Sequence, residues 1–490
     1  MNLVAAGLGA AIATSGVSAL GAAVLPPRWR AGVVGIGTAV TGVAGAVAGG
    51  AALSGAVWRS VLPGLLPLGG VRLEVDALSG WFLLLVGGVA ALVGVYAAGY
   101  AGRTGVGASS RTALATLPLF IAAMLVVPAA GSVSTLLLAW ELMALFSLLL
   151  VMSEHAHSEA VRSAAGWYAG MTQAGFVVIL LALVWAAAAC GGESFTAIRN
   201  AAHELPGAVR GAVFVLAAAG FAAKAGMVPL HPWLPRAHAE APSHVSALMS
   251  AAMVSLGVYG IVRLGFDLLG GGPAWWWVLV GAGGALSALY GILQAALATD
   301  MKKMLAYSTA ENMGLVLLGV GAAGLFADAG QPRLAALALA AALLHVLNHA
   351  AFKTLLFFAA GAVVHTTGTR DLDSLGGLGR RMPATTAAFA LAALCAAALP
   401  PGNGFVSEWL LLQSLIHALP PASVLSAIAA PVAVGVVALT AGIGVAAYVK
   451  ALGTGFLARP RSTAAEQARE AGPVMLAAMA AAALGCGVLA

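Results

Sequence analysis

Charge is what this 490-residue chain has least of: Asp, Glu, Lys and Arg make up 8% of it, where soluble domains carry about 25%. That scarcity excludes a water-soluble enzyme or binding module. Cysteine is nearly absent too. Cys190, Cys395 and Cys486 lie far apart with no C-x-x-C, which excludes an iron–sulfur cluster or structural zinc held by this chain alone. No cofactor is expected in it, and any redox chemistry has to sit in a partner. A basic cluster interleaved with aromatics is also missing, so the formal charge of +6 does not indicate nucleic acid. The amino terminus lacks a basic region, and its apolar run exceeds the roughly 7 to 15 residues of a signal-peptide core. It is expected to stay as a membrane helix.

What is abundant is apolar surface: 61% of residues are hydrophobic and the mean hydropathy is +0.99. An all-α, polytopic membrane protein follows, since about 20 apolar residues in helix cross a bilayer core. Fourteen such stretches can be counted, near 3–25, 31–57, 77–100, 113–131, 132–152, 163–188, 211–235, 243–265, 274–297, 304–325, 334–365, 384–419, 428–456 and 472–490. The fourth and fifth nearly touch, so the intervening "AAGSVS" is expected to be a tight turn. Loops after odd-numbered stretches hold fifteen of the 23 Lys and Arg residues, loops after even-numbered stretches six, and Lys224 and Lys353 lie inside stretches. Basic loops favour the cytoplasm, so both termini are expected on the extracytoplasmic side. Glycine recurs as small-x-x-x-small in the first three stretches, which predicts close helix packing there.

Five groups that carry charge at neutral pH fall inside the stretches: Glu141, Lys224, Glu311, Lys353 and Glu408, with His345 and His349 beside them. At roughly 2.5 to 3.5 kcal/mol each, five unpaired charges would cost on the order of 15 kcal/mol, so they must be paired, hydrated or neutralised. Glu141 in "LLLAWELMALF" and Lys224 in "GFAAKAGMVPLHPWLP" both sit near mid-stretch. Opposite charges at one depth can pair, and breaking such a pair releases or captures a proton. Pro229, Pro232 and Pro235 follow Lys224 and remove backbone donors, so the seventh stretch should break there. In the twelfth, Pro400, Pro401, Gly402 and Gly404 precede Glu408 and predict a second break. If stretches 4–8 and 9–13 are two five-helix repeats, the odd number makes them inverted, an arrangement in which broken helices mark ion sites. The corresponding division is 1–112, 113–270, 271–458 and 459–490.

The segment "LLHVLNHAAFKTLLFF" places His345, His349 and Lys353 at i, i+4 and i+8. On a helix they drift by only about 80° while covering about 12 Å, a ladder whose rungs can each take and pass a proton. H-x-x-x-H also suits zinc, but no Cys or carboxylate on this stretch completes a shell, and Lys353 repels a cation. Glu311, about two turns inside the tenth stretch, and Glu408 are expected to extend the ladder.

Six segments appear in the order found in one known family: "WELMALFSLLLV", "KAGMVPLHPWLPRAHAEAPSHVSALMS", "TDMKKMLAYSTAENMG", "LLHVLNHAAFKTLLFFAAGAV", "GTRDLDSLGGLGRRMP" and "LPPGNGFVSEWLL". Over roughly residues 60–460 the chain resembles the antiporter-like, proton-translocating subunits of respiratory complex I, Mrp antiporters and membrane-bound hydrogenases. "AEAPSHVSALMS", the "STAENMG" glutamate and "GFVSEW" most resemble hydrogenase-4 component B, also found in formate hydrogenlyase; complex I subunits typically have lysine where Glu408 stands. The resemblance implies that Glu141 and Lys224 are the pair of the first half-channel, that His345, His349 and Lys353 are the central relay, and that Glu408 is the terminal carboxylate. Relatives carry histidine or lysine on the eighth stretch, where this chain has Ser250 and Ser255; a link through water, a link through His244, or no link are the readings left. The chain stops within or just after the fourteenth stretch, as a shortened version or a fragment.

The implied function is a non-catalytic pump subunit of a bacterial plasma-membrane oxidoreductase assembly. Its expected partners are lipid, other membrane subunits and a soluble redox arm of the nickel–iron hydrogenase or quinone-reductase type. The alternatives are an Mrp-type cation/proton antiporter subunit acting without redox partners, and a structural anchor that no longer pumps. The loop "TGTRDLDSLGGLGRRMP" suits a docking surface, and the orientation rule explains its basic residues equally well.

Overall fold

The computed structural model describes residues 2–65, 69–104, 110–154, 158–418, 424–457 and 459–490. Residue 419, the end of the twelfth stretch, and the division at residue 458 lie outside them. In chain order the elements begin with α1 (Leu3–Val24), α2 (Pro27–Leu53), β1 (Trp58–Leu62), β2 (Val71–Val75) and α3 (Ala77–Thr104). Next come α4 (Arg111–Ala129), α5 (Val133–Val151), α6 (Glu159–Ala189), α7 (Phe195–Ala201), α8 (Gly207–Ala225), α9 (Trp233–Glu240), α10 (Ser243–Leu248) and α11 (Val254–Val262). The remainder are α12 (Ala274–Leu297), α13 (Met301–Asp328), α14 (Pro332–Thr367), α15 (Pro383–Ala396), α16 (Asn403–Ile416), α17 (Val424–Leu452), α18 (Thr463–Glu466) and α19 (Pro473–Val488).

Helix dominates because a backbone in lipid has to satisfy its own hydrogen bonds within the segment. Among the described residues, twelve helical segments are long and apolar enough to cross a membrane. The twelfth expected stretch is two half-helices, α15 and α16, and the fourteenth is the 16-residue α19. The antiparallel hairpin β1–β2 departs from the all-helical expectation; strands of five residues escape a hydropathy window of helix length.

The chain forms two compact units, residues 1–225 with 252–272, and residues 226–251 with 273–490. In the first unit, α2 lies against α3 along glycines spaced by seven, Gly35, Gly42 and Gly49 facing Gly80, Gly87 and Gly94. A Cβ on Gly42 would stand 2.3 Å from the Ala91 nitrogen, a separation only a hydrogen side chain permits, so the small-residue pattern serves backbone packing. The "AAGSVS" turn is as tight as expected, with α4 ending at Ala129 and α5 starting at Val133. At the end of the β-hairpin, Arg263 binds Asp76 through both guanidinium arms at 2.6 and 2.7 Å and also reaches Asp267.

The second unit repeats the glycine device. Gly281 and Gly284 of α12 face Gly321 and Gly314 of α13, and a Cβ on Gly291 would meet the Glu311 nitrogen at 2.5 Å. Both expected helix breaks are present. α8 ends at Ala225, and the following Gly226 takes a left-handed φ of +76°. Pro229 and Pro232 keep the chain irregular until α9 starts at Trp233. The second break runs from Ala397 to Gly402 and includes Pro400, Pro401 and a left-handed Ala398 at φ +49°. A third interruption, not anticipated, is the π-helical turn Met249–Met253 inside the stretch Ser243–Leu268.

Candidate functional site

In the first unit α5 and α6 carry two polar contacts. Glu141 on α5 accepts a hydrogen bond from Gln173 Nε2 on α6 at 2.6 Å, while its Oε2 is buried and has no hydrogen-bond partner among the described residues. Six residues further along α5, Ser147 Oγ lies 2.5 Å from the Tyr168 hydroxyl of α6. Six residues of helix rise about 9 Å, so the two contacts are separate. Lys224, buried on α8, donates to the Tyr168 hydroxyl at 3.0 Å and stands 5.3 Å from that ring's centroid. The sequence leads one to expect an ion pair with Glu141; the contact seen for the Lys224 ammonium is with the Tyr168 phenol. A phenol accepts a hydrogen bond from an ammonium without adding a second buried charge.

The second unit gathers most of the remaining predicted groups. His345, His349 and Lys353 are all buried on α14. His345 bonds Ser407 Oγ of α16 through Nδ1 at 2.8 Å, and Asn312 Oδ1 of α13 through Nε2 at 3.1 Å. Asn312 Nδ2 in turn donates to Glu311 Oε2 at 2.5 Å. A continuous run Glu311–Asn312–His345–Ser407 thus joins α13, α14 and α16, and it ends beside Glu408, the next residue of α16. Asn348 holds the same serine, donating to Ser407 Oγ at 2.9 Å and to the Asn403 carbonyl at 2.7 Å.

Eight residues from His345, Lys353 donates to the Leu305 carbonyl at 3.0 Å and to Ser308 Oγ. Tyr448 of α17 donates to that serine at 3.0 Å. Glu311 is within electrostatic reach of both Glu408 and Lys353, so the two carboxylates and the lysine do share one neighbourhood. His349 stands between His345 and Lys353, and neither of its ring nitrogens has a hydrogen-bond partner among the described residues.

On the eighth stretch, Ser250 bonds Thr309 of α13 at 2.7 Å, next to the serine that holds Lys353. His244 is buried on α10 and feels the charge of Lys302, whose ammonium caps the Ala241 carbonyl. Among the described residues no three His, Cys, Asp or Glu side chains gather as a metal site would require.

Sequence reasoning missed several members. His238 on α9 is fully buried, lies against Phe357 with ring centroids 5.6 Å apart, and has neither ring nitrogen hydrogen-bonded among the described residues. It is within electrostatic reach of Lys302, Lys353 and His349. "PRAHAEAPSHV" contained the signal, a histidine right after a proline break, but the segment reads as loop. Tyr168, Asn312, Ser308, Ser407 and Tyr448 carry no formal charge and do not stand out in an apolar run.

A family model described as "NADH:quinone oxidoreductase/Mrp antiporter, TM" matches residues 130–432. An uncharacterized protein of Mycobacterium tuberculosis (strain ATCC 25618 / H37Rv) is 58% identical over 456 residues, covering 93% of this chain and 70% of the relative. Hydrogenase-4 component B of Escherichia coli (strain K12) is 39% identical over 412 residues, covering 84% of this chain and 60% of that protein. The fold is similar to a chain in the structure of the Mrp complex from Dietzia sp. DQ12-45-1b, with a TM-score of 0.84 at 20% identity over 100% of this chain and 95% of the other.

Proposed function

Because the chain belongs to the NADH:quinone oxidoreductase/Mrp antiporter transmembrane family, we propose that it moves protons as the antiporter-like membrane subunit of a redox-driven assembly of the hydrogenase-4, formate hydrogenlyase or complex I type. It is a multi-pass membrane protein, and its relatives are subunits of larger membrane complexes. Other membrane subunits are accordingly its partners. In this reading the redox centres belong to a soluble arm of nickel–iron hydrogenase or quinone-reductase type, and both termini face the extracytoplasmic side.

The observation that carries the reading is the buried run Glu311–Asn312–His345–Ser407 with Lys353 on Ser308. Groups that can hold a proton alternate there with groups that can pass one. An apolar bundle keeps such groups only where they are solvated by one another, and intramembrane ionisable side chains are functional by default. In the first unit, Lys224 is parked on Tyr168. The pumping step we assign is movement of its ammonium from the phenol to a protonated Glu141 carboxyl, where the positive charge favours the carboxylate and the carboxyl gives up its proton.

Reconstitution distinguishes the readings. In vesicles holding the assembled complex, electron transfer is expected to drive protons across the membrane, and Glu141→Gln or Lys224→Ala to abolish that movement while the bundle still assembles. Sodium-driven proton flux from the purified chain alone would instead assign an exchanger of the Mrp type. Normal redox turnover without proton movement would leave only the anchoring role.

A further inference from the structure

Two basic loops that sequence order separates by a long helix and a helix break meet at one place. Residues 377 and 379–381, ahead of α15, and residues 456–457 and 459–463, after α17, line a cavity of about 1270 Å³, larger than the roughly 300–1,000 Å³ of ordinary small-molecule sites. Arg380, Arg381, Arg459 and Arg461 line it with a single carboxylate, Glu466, which leaves three positive charges in excess. Among the described residues none of the four arginines makes an ion pair, as every ion pair found there lies elsewhere.

The site is built rather than accidental. Arg461 spends its guanidinium on backbone, donating to the carbonyls of Asp373 at 2.9 Å, Leu372 at 2.5 Å and Thr454 at 2.8 Å, and so ties one loop to the other. Gly376, at φ +133°, lies so close that a Cβ there would stand 2.2 Å from the Arg459 carbonyl oxygen. The other three arginines also line the cavity. Part of its remaining wall is apolar, with Ala387 and Ala390 of α15, Phe456 and Leu457, which is 66% exposed, and part carries the hydroxyls of Thr386, Ser462 and Thr463. The rule that basic loops face the cytoplasm accounts for the number of arginines but not for their convergence above an apolar wall.

We propose that this cavity binds an anionic phospholipid, its phosphate held by Arg380, Arg381 and Arg459 and its acyl chains laid along Ala387, Ala390 and Leu457. Guanidinium forks fit phosphate oxygens bidentately, and basic pockets between membrane helices on the cytoplasmic side suit such headgroups. An acidic protein segment would satisfy the arginines but leave the apolar wall exposed, so the lipid is the better occupant.

Native mass spectrometry of the full chain in detergent tests this with phosphatidylglycerol, phosphatidylcholine and inorganic phosphate as probes. Wild type is expected to retain phosphatidylglycerol about tenfold more than phosphatidylcholine, and excess inorganic phosphate is expected not to displace it. The triple variant Arg380→Gln, Arg381→Gln, Arg459→Gln, which spares the Arg461 contacts, should lose about tenfold of that retention at an unchanged unfolding temperature. Equal retention of the two lipids by wild type, displacement by phosphate, or full retention by a folded triple variant would overturn the proposal.

Discussion

Lys224 and Tyr168 are 3.0 Å apart, ammonium to hydroxyl, a contact that the sequence, which points to Glu141, does not suggest. The phenol is held from its other side by Ser147. Tyr168 is therefore a hydrogen-bond acceptor of the lysine in this structure. Tyr168→Phe should leave a buried ammonium short of one acceptor, a loss of roughly 1.5–3 kcal/mol for a hydrogen bond to a charged group. Proton flux in vesicles is expected to fall about tenfold or more, and Ser147→Ala, which keeps the phenol, to have a smaller effect.

Asn312 is the bridge between Glu311 and His345, so Asn312→Leu should disconnect them at nearly unchanged volume. It leaves a carboxylate oxygen and an imidazole nitrogen buried without that partner, at about 1–3 kcal/mol each. Lower thermal stability and lost proton movement are expected together. Asn348→Ala, which removes a second hold on Ser407 and a bond to the Asn403 carbonyl but leaves the Glu311–Asn312–His345–Ser407 run, should keep most of the flux.

Packing of α12 on α13 makes a stability prediction that involves no charge. Gly291→Ala puts a methyl group 2.5 Å from the Glu311 nitrogen, and overpacking of this kind costs about 1–3 kcal/mol. Gly16→Ala in α1, where nothing lies within 4 Å, should instead be neutral or gain up to about 1 kcal/mol from helix propensity. Unfolding temperatures of the two variants in the same detergent compare them directly.

Acid stability should report on Asp76, which precedes α3. Burial raises its carboxyl, but the hydrogen bonds and charge of Arg263 outweigh that and hold it at about 2. A carboxylate whose folded pKa lies below its unfolded value near 3.9 stabilises the fold above that value and loses the contribution as pH falls towards 2. Wild type is expected to lose stability between about pH 4 and pH 2 more steeply than Asp76→Asn, which is already weakened at neutral pH. Identical slopes in a denaturation series across that range would contradict the assignment.

How much of this was legible in the sequence follows from what each residue costs in lipid. Lys353, Glu311 and Glu408 announce themselves because a charge in an apolar run is expensive, and the prolines near 229 and 400 announce breaks because they delete donors. Tyr168 and Asn312 are cheap to bury once hydrogen-bonded, so nothing in the one-dimensional pattern marks them. His238 was visible but read as loop, since the pattern after a break does not tell that α9 turns back into the interior. The contact of Tyr168 with Lys224 depends on register between α6 and α8, which hydropathy does not encode. The arginine cavity was invisible for the same reason: its two loops meet only in the fold, where Arg461 ties them through backbone carbonyls.

The central claim is that the α14 ladder conducts protons, and it is tested most directly at Lys353. In vesicles containing the assembled complex, proton movement is measured alongside electron transfer for wild type, Lys353→Met and Lys353→Arg. Our account predicts that Lys353→Met stops proton movement with the complex still assembled, and that Lys353→Arg, which keeps a charge but releases no proton, stops it as well. Proton movement at the wild-type ratio in a correctly assembled Lys353→Met complex would contradict it.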